Sequence, residues 1–551
     1  MSKTDGGQLV VKALLREGVK YIFSLSGGHI APIYDASLDQ GIKIIDTRHE
    51  QAAAHMAEGW SLVTGEMGVC AVTAGPGLTD AVTAIANAQQ SNTPLLVLGG
   101  RSSLVDNDTG ALQDMDQMAL MKPITKWARI CHHTHRIPEY IAMAYRYALG
   151  GRPGPVYLEI PADILYAKIE ESRANFPDDY RTTSRPNGSP ESLAAAAELL
   201  AKAERPVILA GSGCLWARAG DSLKAFAERG GIPVITRTSG RGVLPDSHPL
   251  TLSGSMLHTM SPLTMADTIL ALGTRFNFTL AHGKLFQPPM KVIQVDIEST
   301  EIGFNRGPDV GVWGDIKLVL DELTKRIPEN PDRPWAREAK QMVEAAIQAE
   351  RSSYDLNATP IHPRRLVEDV RDVVGGEAMF VCDGGDSMLW GSEVFPAERP
   401  AALISTGPLG CLGVGLPFAL AAKLAEPSRN VVLLSGDGSF GLNGMEIDTA
   451  VRHDLPVICV ICNDQAWGMV KHGQEMLFGH DRTCGTELGL VRYDLMAQGL
   501  GGYGEFVEQA EEIKPAVERS LKYGKVSCIN VLVDPTFPHP VTKYATESGL
   551  L

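Results

Sequence analysis

Two carboxylates in the last third of the chain stand where chemistry would need them. Asp437 lies between two glycines at the end of the apolar run VVLLSGDGSF, which begins at Val431. Asp464 follows a second apolar run, LPVICVIC, in the triplet Asn463-Asp464-Gln465. Val431 to Leu434 are four aliphatic residues in a row and predict a strand covered on both faces, the usual state of a parallel sheet. An Asp-Gly turn alone would account for Asp437. The second run changes that reading. Between the two, GLNGMEIDTAVRHD predicts a helix with Asn443 as its N-cap, so two strands joined by one right-handed crossover lie close in the sheet. Their carboxyl ends bring Asp437 and Asp464 to one rim, where open α/β sheets take their ligands. Two bare carboxylates repel there. A hard divalent ion, most simply Mg²⁺, satisfies both with oxygen ligands and keeps positions open for phosphate oxygens. Gly436, Gly438 and the amides of Ser439 and Phe440 let the backbone approach an anion closely. The pattern specifies a metal-bridged diphosphate site.

Strand-like runs alternate with helical patterns along the rest of the chain: TPLLVLGG, GPVYLEIP, RPVILAGSG, TILALG, KVIQVDIE and AMFVCDGG among them. Such alternation predicts βαβ units and parallel sheets. At 551 residues the chain is too long for one core. Polar, Pro-containing stretches at 178–192 and 325–335 read as linkers, the second followed by a charged helix to about Tyr354. The expectation is an α/β protein of three doubly wound parallel-sheet domains, over 1–180, 190–350 and 358–551.

The formal net charge of −15 argues against a nucleic-acid surface, which needs a basic face. The N-terminal stretch lacks the apolar core of a secretory signal, and no segment approaches ~20 uninterrupted apolar residues, so no membrane span is expected. Nine scattered cysteines, with Cys459 and Cys462 inside a strand-like run, read as small buried hydrophobes in a reducing cytoplasm.

A GDG followed about 25 residues later by an Asn-containing strand end resembles the thiamine-diphosphate fingerprint of the decarboxylase and acetolactate synthase superfamily. That fingerprint ends in Asn-Asn. Asp464 stands in the second position here, giving the same oxygen and one more negative charge. The resemblance implies thiamine diphosphate with Mg²⁺ held by Asp437, Asp464 and the backbone carbonyl of Ala466, in a fold of pyrimidine-binding, central and diphosphate-binding domains. Other segments resemble the family in order along the chain. CDGGDSMLWGSE, with Gly385, Asp386 and Ser387, is similar to the other half of the diphosphate cradle. TGPLGCLGVGLPFALAAK resembles the loop under the aminopyrimidine, with Gly410 in the turn and Leu412 as the apolar wedge that bends the cofactor. Trp467, Gly468 and Met469 complete the implied cofactor contacts beside Gly436, Asp437, Gly438 and Ser439. IIDTRHEQAAAHMAEGW resembles the stretch with the activating glutamate, Glu50, whose hydrogen bond to the pyrimidine ring makes the thiazolium ylid and carbanion sink accessible. Members of this superfamily build the site from two subunits, which implies a homodimer at least and a homotetramer as the larger assembly.

FSLSGGHIAPIYDA and ALQDMDQMALMKPITKWA resemble benzaldehyde lyases, and GRPGPVYLEIPADI resembles 2-hydroxyacyl-CoA lyases. That likeness implies active-site roles for His29, as a neutral imidazole moving a hydroxyl proton, and for Gln113, as a hydrogen-bond donor. Met469 and Gly473 depart from the benzaldehyde lyases, and GMV is similar to acetolactate synthases. Gly473 would leave room for a longer acyl group. The expected activity is carbon–carbon lysis or ligation of a 2-hydroxyacyl compound, either a hydroxy ketone or an acyl-CoA, with acetolactate synthase chemistry as the alternative. FAD is not expected, because GSGCLWARAG is too loose for a dinucleotide turn.

Overall fold

The strand Val431–Gly436 forms where four consecutive aliphatic residues predict it, and none of Val431 to Leu434 is more than 1% exposed. The computed structural model describes residues 3–549; Met1, Ser2 and the end of the tail, Leu550 and Leu551, lie outside the described residues. Three parallel sheets carry the fold. In the first, the strands stand in the order Lys43–Asp46, Tyr21–Ser24, Gly68–Val72, Leu95–Arg101, Pro155–Pro161, Trp127–Ile130. The third repeats that topology with Leu403–Ser405, Met379–Asp383, Val431–Gly436, Ile458–Asn463, Ser527–Leu532, Tyr503–Val507. The middle sheet has five strands: Val234–Thr236, Pro206–Ala210, Thr268–Leu272, Lys291–Asp296, Val310–Trp313. Every neighbouring pair in these three sheets is parallel. In each sheet the earliest strand lies between the second and the third, so its connections leave in opposite directions. That is a topological switch point, where the carboxyl ends of neighbouring strands leave a crevice.

One apolar core joins the first and third sheets. Its hinge is the pair of helices Glu50–Thr64 and Gly415–Ala425, both buried nearly all round, as helices between two sheets must be. Small residues bring them close: a Cβ on Gly59 would lie 3.1 Å from the Ala421 Cβ. Polar contacts seal the same seam. Glu446 accepts the Arg48 N–H at 3.0 Å, and His453 pairs with Asp46 at 2.9 Å. The segment leading into Glu50–Thr64 is therefore tied to the third domain.

The helix after Asp437 differs from expectation. It starts at Asp437 itself, and Asn443 is its last residue rather than an N-cap. Asn443 Nδ2 donates to the Gly413 carbonyl at 2.7 Å, tying this helix to the loop that carries Leu412. Cys459 and Cys462 are buried in the strand Ile458–Asn463.

Candidate active site

The switch point of the third sheet lies between Met379–Asp383 and Val431–Gly436. Both strands end in glycine: Gly384 and Gly385 after the first, Gly436 and Gly438 around Asp437 in the second. Side chains occupy the glycines' empty side. A Cβ on Gly438 would lie 2.6 Å from the Trp467 ring, and one on Gly385 2.6 Å from the Met469 Cβ. A cavity of about 250 Å³ opens above. It is lined by Gly385, Asp386, Ser387, Gly410 and Leu412 on one side and Gly436, Asp437, Gly438 and Ser439 on the other, and closed by Asp464, Ala466, Trp467, Gly468 and Met469.

Asp437 and Asp464 come from adjacent parallel strands. Asp437 Oδ2 is buried without a hydrogen-bond partner, while Tyr493 donates to the Asp437 backbone carbonyl at 2.8 Å. Asp464 Oδ1 accepts the Ala466 N–H at 3.1 Å. Between them Gln465 takes a φ of 62°, which turns the chain back on itself. Gly468 has no room for a side chain, since a Cβ would lie 2.1 Å from Asp464 Oδ2. Burial raises the pKa of both carboxyls, and the Asp464 charge raises that of Asp437 further. An orphaned buried oxygen, two mutually repelling carboxylates and a backbone approach free of side chains fit a hard cation bridging to a diphosphate. Asp437, Asp464 and the Ala466 carbonyl would hold the ion.

The switch point of the first sheet holds a second cavity, of about 540 Å³, lined by His29, Glu50, Thr73, Gly77, Leu112 and Gln113. Glu50 opens its helix at 8% exposure, capped by His49, whose Nδ1 accepts the Gln51 N–H at 3.1 Å. Burial pushes its pKa up, with the Asp80 charge adding to the rise, so the carboxyl holds its proton more tightly than an exposed glutamate. His29 Nδ1 lies 3.0 Å from Thr73 Oγ1. Burial lowers the His29 pKa below its ordinary 6.5, which keeps the ring neutral. Gln113 adopts a φ of 61°, held over Gly75, whose Cβ would lie 2.9 Å from the Gln113 Cβ. The two cavities share no lining residue.

Three features refine the reading from sequence. Gln117 is buried and holds the turn beneath the first-sheet cavity: its Oε1 accepts the Gly75 N–H at 2.7 Å and its Nε2 donates to Gly100 O at 2.9 Å and Glu159 at 3.0 Å. A polar residue one turn before the buried Met121 was its only signal. Val533, Asp534 and Phe537 give the third-sheet cavity a wall from the C-terminal segment. Gly473 does not line that cavity; a Cβ there would meet Thr546 Oγ1 of the tail at 3.9 Å.

The third sheet thus carries a glycine-lined cradle beside a carboxylate pair and the first a buried glutamate, and the chain belongs to the thiamine pyrophosphate enzyme family. It matches the thiamine pyrophosphate enzyme N-terminal TPP binding domain over residues 4–120, the central domain over 193–323 and the C-terminal TPP binding domain over 383–531. It is 35% identical over 535 residues to a probable acetolactate synthase of Mycobacterium bovis, covering 97% of this chain and 96% of that one. It is 33% identical to a probable acetolactate synthase large subunit of Methanocaldococcus jannaschii, over 97% and 93% of the two chains. It is 32% identical to the 2-hydroxyacyl-CoA lyase 2 of Homo sapiens, over 97% and 91%. No helix among the described residues is long and apolar enough to cross a membrane.

Proposed function

We propose that the protein is a thiamine-diphosphate- and Mg²⁺-dependent carbon–carbon lyase and carboligase acting on a 2-hydroxyacyl compound. One observation carries the choice: His29 and Gln113 line the same cavity as Glu50. When bound, the cofactor supplies a thiazolium carbanion and an electron sink. The chain's own residues supply proton control. Glu50, whose pKa burial raises, is the group that donates a proton to the pyrimidine ring. His29, neutral and fixed by Thr73, accepts the hydroxyl proton of a 2-hydroxyacyl substrate as its carbon–carbon bond breaks, and returns it in the ligation direction. Gln113 offers amide hydrogens to the same oxygen.

The complete site needs both cavities. We propose that it forms between two copies, the first-domain cavity of one against the third-domain cavity of its partner, in a dimer or a pair of dimers. Exposed apolar residues on both support this: Leu112 is 77% exposed and Val470 55%. Mixing inactive Glu50→Gln and Asp437→Ala chains tests it, because only a site shared between subunits regains activity in the mixed dimer.

An acetolactate synthase activity is the second reading. Met469 and Val470 in the third-domain cavity favour it, as do the relatives named for that activity. A panel of 2-hydroxyacyl-CoAs, hydroxy ketones and pyruvate decides between them. Aldehyde release from the first two with no acetolactate from pyruvate is expected; the reverse outcome would install the synthase.

A further inference from the structure

Beneath the first-sheet cavity one buried amide holds the backbone under both His29 and Gln113. The strands Gly68–Val72 and Leu95–Arg101 are paired in register as far as Val72 and Gly99. Past that pair the Gly75 N–H and the Gly100 carbonyl face the Gln117 side chain, which is 1% exposed. Its Oε1 accepts the Gly75 N–H at 2.7 Å, and its Nε2 donates to the Gly100 carbonyl at 2.9 Å and to Glu159 Oε2 at 3.0 Å. An amide has one oxygen and two hydrogens to offer, and here all three are used. Glu159 is fixed in turn by Arg101 at 2.8 Å and the Tyr157 hydroxyl at 2.9 Å, so the amide cannot turn over. The reacting side rests on the two glycines. A Cβ on Gly100 would lie 2.8 Å from the His29 Cβ, and one on Gly75 2.9 Å from the Gln113 Cβ. The bond to Gly75 also steadies Thr73, two residues earlier, whose hydroxyl lies 3.0 Å from His29 Nδ1.

We propose that Gln117 is a positioning residue: by joining Gly75 to Gly100 it sets the separation of His29 and Gln113, and so their fit to one substrate hydroxyl. It rests on the reading of His29 and Gln113 as the groups that meet a 2-hydroxyacyl substrate. Gln117 itself does not line the cavity, so it acts only through the residues above it. Proton transfer from the hydroxyl to His29 needs the two heavy atoms about 2.6–3.2 Å apart. Gln113 has to reach the same oxygen, so an error in the spacing of the two seats is an error in both contacts. A displacement of about 1 Å costs as much as about a hundredfold in rate. Without the amide, the Gly75 N–H and the Gly100 carbonyl are buried without these partners, and each seat shifts or admits water to satisfy them. Two glycines give the backbone no side chain of its own to resist that shift. The amide is thus the fixed distance between the group that accepts the proton and the group that steadies the oxygen.

The test uses the full chain and reads the His29 ring directly, by carbon NMR of labelled histidine, with His29→Gln assigning the signal. Gln117→Met keeps the length and bulk of the side chain and removes all three bonds. Burial holds the His29 pKa below 6.5 in the wild type, and Glu50 is the only other ionisable side chain among the described residues lining that cavity. A loosened seat lets water reach the ring, so in Gln117→Met the midpoint should rise toward 6.5, by about half a unit. Tyr157→Phe removes a bond from the same buried network but leaves both glycine bonds of Gln117 in place, and should not move the midpoint. In kcat/KM for a 2-hydroxyacyl substrate, Gln117→Met should lose about tenfold, chiefly in kcat. Added to His29→Gln it should cost only about threefold more, because the ring it acts through is already gone. An unmoved midpoint in Gln117→Met or an equal rise in Tyr157→Phe would overturn this role, as would losses that multiply to about a hundredfold in the double variant. A wild type that turns over no 2-hydroxyacyl compound would instead remove the lyase reading, and the midpoint would still decide whether Gln117 seats His29.

Discussion

In the middle sheet a Cβ on Gly211 would lie 2.3 Å from the Gly273 carbonyl oxygen, and one on Gly213 2.7 Å from the Gly273 Cα. Ile316 takes the space that remains, its Cδ1 2.9 Å and 2.7 Å from the Cβ positions of Gly213 and Gly273. In the third sheet the turns at the equivalent switch point are also glycine-rich, but Gly385 and Gly438 abut Met469 and Trp467, two walls of a cavity. One crevice is filled by backbone and an aliphatic side chain; the other is left open beside a carboxylate. Glycine at a strand end permits a close approach, and the neighbouring element decides what approaches. A glycine-rich turn after a strand is thus weak evidence of an anion site until something charged and unpaired is found beside it. In the third sheet that something is Asp437 Oδ2.

Asp437→Ala makes the third switch point resemble the middle one, glycines with no orphaned carboxylate. Mg²⁺-dependent binding of thiamine diphosphate should disappear in a fluorescence titration, and turnover should fall at least about 10³-fold. Binding that keeps its Mg²⁺ dependence would mean the unpaired oxygen is not what separates the two crevices. Glu50→Gln sharpens the contrast from the first sheet, whose switch point is open but holds no paired carboxylates. Cofactor affinity should stay within about threefold while turnover falls about 10²-fold, because a carboxamide cannot give up and regain a proton as the carboxyl does. A large loss of affinity would place Glu50 in binding rather than activation.

Much of this was legible in the sequence because strand and chemistry coincide. The apolar runs ending at Gly436 and Asn463 fix two adjacent strands by hydrophobicity alone, and the residues that follow them are the carboxylates. Likewise the alternating runs suffice for three parallel sheets. What stayed hidden depends on long-range contact. The partners of Asp386 lie 86 and 156 residues away in the chain, so a carboxylate read as part of the cradle proves to be engaged by His472 and Thr542. Asn443 read as an N-cap because its type favours that position, but the glycine-rich turn lets the helix start at Asp437, and a Gly413 carbonyl claims the Asn443 amide. The openness of one crevice and closure of another hinges on Ile316, about a hundred residues from Gly211, which no local pattern reports.

Gly211→Ala probes the closed crevice. The added methyl meets backbone that cannot step aside, so a cost of about 1–3 kcal/mol is expected, seen as a lowered Tm. Thiamine diphosphate affinity at a temperature where the protein is folded should not change. An unchanged Tm would show that the middle crevice has slack and that its closure is not set by glycine packing.

The smallest effect is expected at His29, which separates the first-sheet crevice from the third by its chemistry rather than its shape. Burial is the main cause of its lowered pKa, partly offset by a backbone hydrogen bond with Leu112. A lowered pKa lets the neutral ring persist to more acid pH. Activity that needs the neutral ring should therefore fall only below pH 6.5, the ordinary value. His29→Gln can keep a hydrogen bond to Thr73 but cannot titrate, so the acid limb should vanish from the profile of kcat/KM while the plateau drops about tenfold. Glu50 titrates in the opposite sense. Needed with its proton, and with a pKa that burial raises, it removes activity as pH rises. The two substitutions should therefore erase opposite limbs. An acid limb that survives His29→Gln would assign proton transfer to another group, and with it would go the observation that favours lyase over synthase.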